Sequence, residues 1–219
     1  MTDTCANCSE GITTGGIIKS PNVRHEQSAI DFVNLSNGTA FSALCQKCGQ
    51  GPFGDAEREI AKCRRYVENR VGDFPMMTVQ YLPADIRYRL KGMLTANVTV
   101  GTGLFSEFSQ GFSDFFGAVN TQSGMAYKAN SGETAARGIL VNRALAIGAN
   151  CIIGVDIDYG VTANNSATIN MQGTAIVVED LALLLHETEH ARAAEITRIF
   201  SRLVELNKSR SAAFPANPN

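Results

Sequence analysis

The chain has 219 residues, 44% of them hydrophobic, a net charge of −2 and an isoelectric point near 5.9. That is ample apolar material for a buried core, and the near-neutral charge excludes a general electrostatic pull toward nucleic acid or an anionic membrane. No apolar run reaches the length of a membrane span, and residues 1–9 are polar with two cysteines, unlike a secretory leader, so a cytoplasmic protein is expected.

Residues 1–54 carry two Cys-x-x-Cys pairs, Cys5/Cys8 and Cys45/Cys48, the second followed by Gly49. Each pair places two thiolates on one tight turn. Two such turns facing each other give the four sulfurs of a closed, tetrahedral Zn2+ site. In a reducing compartment this spacing points to metal before disulfides. A redox dithiol is the other reading of the same residues. Between the pairs, Ile30–Leu35, the Asn37-Gly38 dipeptide and Thr39–Phe41 predict a strand, a type I′ turn and a return strand. Residues 1–54 are therefore expected to form a zinc-ribbon-like or treble-clef-like module that folds because it holds metal. Its few basic groups, Lys19, Arg24, His25 and Lys47, argue against nucleic acid and for docking a protein partner or bracing the fold.

A connecting helix is predicted over residues 55–73, with Asp55 as N-cap, Glu57 and Glu59 in its first turn, arginines toward its end and Gly72 closing it. Cys63 falls inside it as a half-buried side chain. From Phe74 the character changes. Met76–Pro83 and Tyr88–Gly101 read as a lead-in strand and a longer strand. Phe105, Phe108, Phe112 and Phe115 then recur at helical spacing, an apolar stripe that belongs in a core or a subunit interface. A long helix follows and ends at Gly148, succeeded by a strand in which Asp156 and Asp158 share one face and Val155, Ile157 and Tyr159 the other. The two carboxylates are either a site for a hard cation or a solvated edge. A turn over 162–166 leads to a return strand, Ala167 to Glu179.

The order of strand, Phe-rich helix, Ser123-Gly124-x-x-Tyr127, long helix, Gly148-Ala149-Asn150 and Gly154-Val155-Asp156-Ile157-Asp158-Tyr159 resembles the YbjQ-like family, whose members are labelled heavy-metal-binding domains. The resemblance covers about residues 74–179, within a domain expected over 74–180, and implies an α+β, dodecin-like subunit in which a three-stranded antiparallel sheet packs on helices. It also implies a ring-forming homo-oligomer, a pentamer or two stacked pentamers. Unpaired sheet edges and the Phe stripe are consistent with such closure.

Residues 181–208 predict one long C-terminal helix whose stripe of Leu181, Leu185, Ile196, Ile199, Leu203 and Leu206 suits an interface with a partner, and 209–219 a frayed tail. His186-Glu187-Thr188-Glu189-His190 matches His-Glu-x-x-His, in which His186 and His190, one helical turn apart, hold zinc and Glu187 activates water. A zinc hydrolase needs a third ligand, and the residues downstream stay on the same helix. The pattern is therefore read as a charged helix face or an adventitious metal pair, and the chain as a non-enzyme. The leading expectation is a ring-forming oligomer with a structural zinc module for partner docking. The alternative is a metal-buffering protein using Asp156 and Asp158.

Overall fold

Alternating apolar residues build a three-stranded antiparallel sheet in this computed structural model, which describes residues 4–13, 21–100, 125–161 and 166–215. The strands are β1 (Tyr88–Val100), β2 (Cys151–Val161) and β3 (Ala167–Val178), in the spatial order β1-β3-β2. Four helices are described: α1 (Gln27–Asn37), α2 (Gln50–Asn69), α3 (Met125–Ala146) and α4 (Glu187–Ala213). The chain divides into two compact units, one of residues 1–64 and 199–219, the other of residues 65–198.

In the second unit α3 lies on one face of the sheet. Its Ala136, Leu140, Val141 and Ala144 are buried, as are Ala96 and Val98 of β1 and Ile169 and Met171 of β3. Approach is close at Gly132, where an added Cβ would stand 2.2 Å from Ile169 Cδ1. Helix α3 ends as predicted. Gly148 adopts the left-handed conformation with φ of 71°, and the Ala149 amide closes the turn onto the Ala144 carbonyl at 2.9 Å.

The opposite face of the sheet has two characters. At one end Cys151, Ile153, Ile176 and Val178 are covered by Leu82, Ile86, Leu181 and Leu184. At the other end it is polar and exposed. A β-bulge produces this division: Ile153 pairs with Thr174 and Asp156 with Gln172, so Gly154 and Val155 together stand opposite Gly173. Gly154 takes φ of 60°, and a Cβ on Gly173 would lie 2.6 Å from Ile152 Cγ2. The extra residue shifts the alternation, placing Asp156 and Asp158 on the same face as Cys151 and Ile153, and Ile157 and Tyr159 toward α3.

The first unit buries two apolar groups. Phe32, Ala56, Ile60, Cys63, Leu206 and Ala213 form one, and Ile30, Val33, Leu44 and the cysteines Cys5 and Cys45 the other.

Several expectations are corrected. Residues 30–35 are helical, not a strand. Ala29, Ile30, Phe32, Val33 and Ser36 are buried at helical spacing, and Gly38 with φ of 66° is the C-cap of α1 instead of a hairpin turn. An Asn-Gly pair supplies the left-handed conformation that both structures use. Helix α2 begins at Gln50, before Asp55, directly after the second cysteine pair; Pro52 in its first turn removes a donor that has no helical partner there. The lead-in segment forms a single parallel bridge, Met76 to Ile152, in place of a strand. The C-terminal region is not one helix from residue 181: a 3-10 turn spans Leu181–Leu183, and α4 starts at Glu187. The helix then persists to Ala213, where a frayed tail was expected, and Phe214 stacks edge-on against Phe32 and Phe53. Ile199, Leu203 and Leu206, expected to await a partner, pack within the chain. The Phe105–Phe115 stripe and the turns at 121–124 and 162–165 lie outside the described residues.

Candidate metal centre

Two tight turns of the first unit bring Cys5, Cys8, Cys45 and Cys48 together. In the first, the Ser9 amide donates to the Cys5 carbonyl at 2.8 Å and Ser9 itself takes a positive φ of 59°. In the second, the Gly49 amide donates to the Cys45 carbonyl at 3.1 Å, and α2 continues from there. The Ala6 amide, bonded to the Ala43 carbonyl at 2.9 Å, ties the two turns. Asn34 of α1 fixes the return path: its side chain accepts from Thr39 and from the Phe41 amide and donates to the Phe41 carbonyl, at 2.8 to 2.9 Å.

The sulfurs of Cys5 and Cys48 lie 3.3 Å apart, those of Cys8 and Cys45 3.6 Å, and those of Cys45 and Cys48 3.6 Å; all four lie within 4.8 Å of one another. A disulfide needs about 2.05 Å, and all six cysteines are free. A tetrahedron of Zn–S bonds of about 2.3 Å has an S···S edge near 3.8 Å, which this cluster matches. The donor set is compatible with a zinc-ribbon-like module.

The surroundings prepare the sulfurs for charge. Burial pushes the Cys5 thiol up, but the amides of Cys8, Cys45 and Asn7 overcome this and bring it down to about 6. Burial opposes ionisation of Cys45 as well, and the Cys48 amide with the side chains of Cys48, Cys8 and Asn22 wins against it. Cys48 is pushed up to about 12, by burial first and then by its cysteine neighbours, despite the Asn7 side chain. At Cys8 the Glu10 amide lowers the pKa, but burial and the sulfurs of Cys5 and Cys45 raise it more. Cys5 and Cys45 are thus shifted toward the thiolate and Cys8 and Cys48 away from it, and a divalent cation would displace protons from the latter pair.

Asn7 and Asn22 are functional residues that the sequence reading missed. Asn22 is buried, its side-chain amide also reaching the Gly11 carbonyl at 3.2 Å. Both orient sulfur from outside the ligand set. Asn7 lies inside a Cys-x-x-Cys turn, a signal available in the sequence; Asn22 carries none.

The remaining candidates are dispersed. Among the described residues, the four cysteines are the one group of three or more His, Cys, Asp or Glu side chains placed to share an ion. Asp156 and Asp158 are exposed, and Asp156 accepts from the Gln172 side chain at 3.4 Å. His186 precedes α4, where its amide donates to Glu189 at 3.2 Å, so His186 and His190 are not two residues of one regular helix. Cys63 and Cys151 are both buried, and burial holds both thiols protonated, that of Cys151 pushed up to about 12.

Fold and cluster together define the class: an α+β protein with a three-stranded antiparallel sheet and four described helices, carrying in its first unit a cluster of four cysteines placed to share an ion. The profile of the YbjQ family, described as "Putative heavy-metal-binding", matches residues 75–179. A UPF0145 protein of Clostridium botulinum (strain Eklund 17B) is 37% identical over 92 residues, 41% of this chain and 84% of that protein. One of Acetivibrio thermocellus is 35% identical over 92 residues, again 41% and 84% of the two chains. A crystal structure from Pediococcus pentosaceus, of a protein of unknown function in the DUF74 family, aligns with 48% of this chain and 96% of its own at 17% identity and a TM-score of 0.32. The chain belongs to the YbjQ (UPF0145) family. The family match begins after all four clustered cysteines, so the metal-binding description and the cysteine cluster concern different parts of the molecule. No described helix is long and apolar enough to cross a membrane.

Proposed function

We propose that Cys5, Cys8, Cys45 and Cys48 hold one structural Zn2+, and that the chain is a non-enzymatic homo-oligomer in which this module docks a protein partner. The carrying observation is the approach of the four sulfurs to within 4.8 Å of one another with amide donors aimed at them. Four protein sulfurs leave no open coordination position, which favours a structural centre. Bound zinc supplies the cross-link between the two cysteine turns. The free thiols suit a reducing compartment such as the cytoplasm.

Assembly as a ring, the pentamer implied by the family resemblance, is supported by the long edge strand β1, which exposes Leu90 and Met93 at 70% and 75%. Metal analysis joined to native mass measurement tests both parts. One zinc per chain, lost in a Cys5→Ser/Cys45→Ser variant whose assembly stays intact, is the expected outcome. A strictly monomeric mass sinks the ring, and a metal-free protein purified under reducing conditions sinks the centre.

A further inference from the structure

We propose that Cys8 is an oxidation site, at which a hydroperoxide starts a two-step reaction ending in a Cys8–Cys45 disulfide and release of the metal. This rests on the zinc reading above.

The four sulfurs are not equivalent. Cys8 is exposed, whereas Cys5 and Cys45 are buried. Cys5 receives amide hydrogen bonds from three residues, one of them the Cys45 amide at 3.4 Å, while at Cys8 the Glu10 amide is the single backbone donor. Each N–H aimed at a thiolate withdraws electron density and lowers its nucleophilicity. Exposure therefore selects Cys8 Sγ for attack on a peroxide oxygen, Cys48 being half-buried and Cys5 and Cys45 buried, and Cys8 carries fewer amide donors than Cys5. The thiolate displaces hydroxide from the O–O bond and becomes a sulfenic acid, and the hydroxide takes up a proton and leaves as water. Cys45 Sγ, 3.6 Å away, then attacks the Cys8 sulfur, forming the S–S bond and expelling hydroxide. Two thiolates lose two electrons, and hydrogen peroxide with two protons becomes two waters.

Closing the bond to about 2.05 Å draws Cys45 out of its place beside Leu44 and Ile30. It also leaves two of the four donors, too few to retain the ion. A thiol reductant reverses both changes, which makes the module a reversible redox switch.

The experiment treats the zinc-loaded full-length chain with hydrogen peroxide in the presence of a chromogenic zinc chelator, then maps disulfides by peptide mass spectrometry after alkylation of free thiols. The expected result is release of about one equivalent of zinc, a Cys8–Cys45 linkage, and rebinding after reduction. Cys8→His keeps four donors with one that forms no sulfenic acid; a zinc-loaded C8H chain should release metal at least about tenfold more slowly. Zinc retained under a large peroxide excess, or a first linkage joining Cys5 to Cys48 or recruiting Cys63, overturns the proposal, and if C8H binds no zinc the wild-type mapping still decides. A wild-type chain without zinc before peroxide is added brings down the zinc reading, and this inference with it.

Discussion

The two units are stabilised by different means. In residues 65–198 a continuous hydrogen-bonded sheet and α3 bury Ile152, Ile169, Met171, Ile176 and Leu140 completely. That unit's core is apolar packing of an ordinary kind. In the other unit the cysteines are themselves core residues: Cys5 and Cys45 are 2% and 0% exposed beside Ile30, Val33 and Leu44. Polar sulfur fills a place that hydrocarbon would occupy elsewhere, beside a second cluster of Phe32, Ala56, Ile60 and Leu206 that is apolar. Under the proposed zinc reading the contrast becomes one between a part whose folding the metal supports and a part that apolar packing holds alone.

The strongest way to break the comparison is Cys45→Ser. A structural zinc contributes on the order of 10 kcal/mol, so hydrogen exchange should show α1 and the start of α2 losing protection while β1, β2 and β3 keep theirs. Equal loss in both units would make the distinction wrong. Gly173→Ala probes the reverse direction. Its Cβ would meet Ile152 Cγ2 at 2.6 Å, an overpacking that costs about 1–3 kcal/mol. Denaturation should show the loss in the sheet unit, with zinc content unchanged.

Acid provides a third, smaller test. Burial lowers the pKa of His25 from 6.5, and its Nε2, enclosed beside Gly49, has no hydrogen-bond partner. Because the folded imidazole takes its proton at lower pH than the unfolded one, its contribution is fully present above 6.5 and is lost as pH falls below that value toward the folded pKa. Between about pH 7.5 and 5.5 the zinc-saturated wild type should therefore lose stability faster than His25→Gln. Parallel pH profiles would remove the histidine from the account. Smallest of all is Asp156→Asn with Asp158→Asn, both on an exposed strand face. Zinc stoichiometry should not change, and a lost second metal would restore the acidic face as a site.

Local chemistry was the most legible part of the sequence. Two Cys-x-x-Cys turns announce their ligands because the spacing itself builds the turn, and Gly148 announces the end of α3 because few other residues accept its φ. Ambiguity entered where one local signal serves two structures. Asn37-Gly38 fits a hairpin or a helix end, and long-range burial of Phe32 and Val33 decided for the helix. The stripe of Ile199, Leu203 and Leu206 announced burial without naming its partner, which is α1 and α2 of the same chain. Asn22 was invisible because its role at Cys45 depends on a contact across 23 positions of sequence.

The bulge at Gly154 and Val155 also sets which changes of length β2 tolerates. Deleting one of the two would leave a regular ladder with Asp156 still opposite Gln172, whereas inserting one more residue would put the rest of β2 out of phase, turning Asp156 and Asp158 into the apolar layer beneath α3 and Ile157 into water. Two buried unpaired carboxylates would cost far more than an extra residue in a loop. The stretch between Cys151 and Asp158 should therefore accept a one-residue deletion and reject a one-residue insertion, whereas surface loops of this protein should accept both.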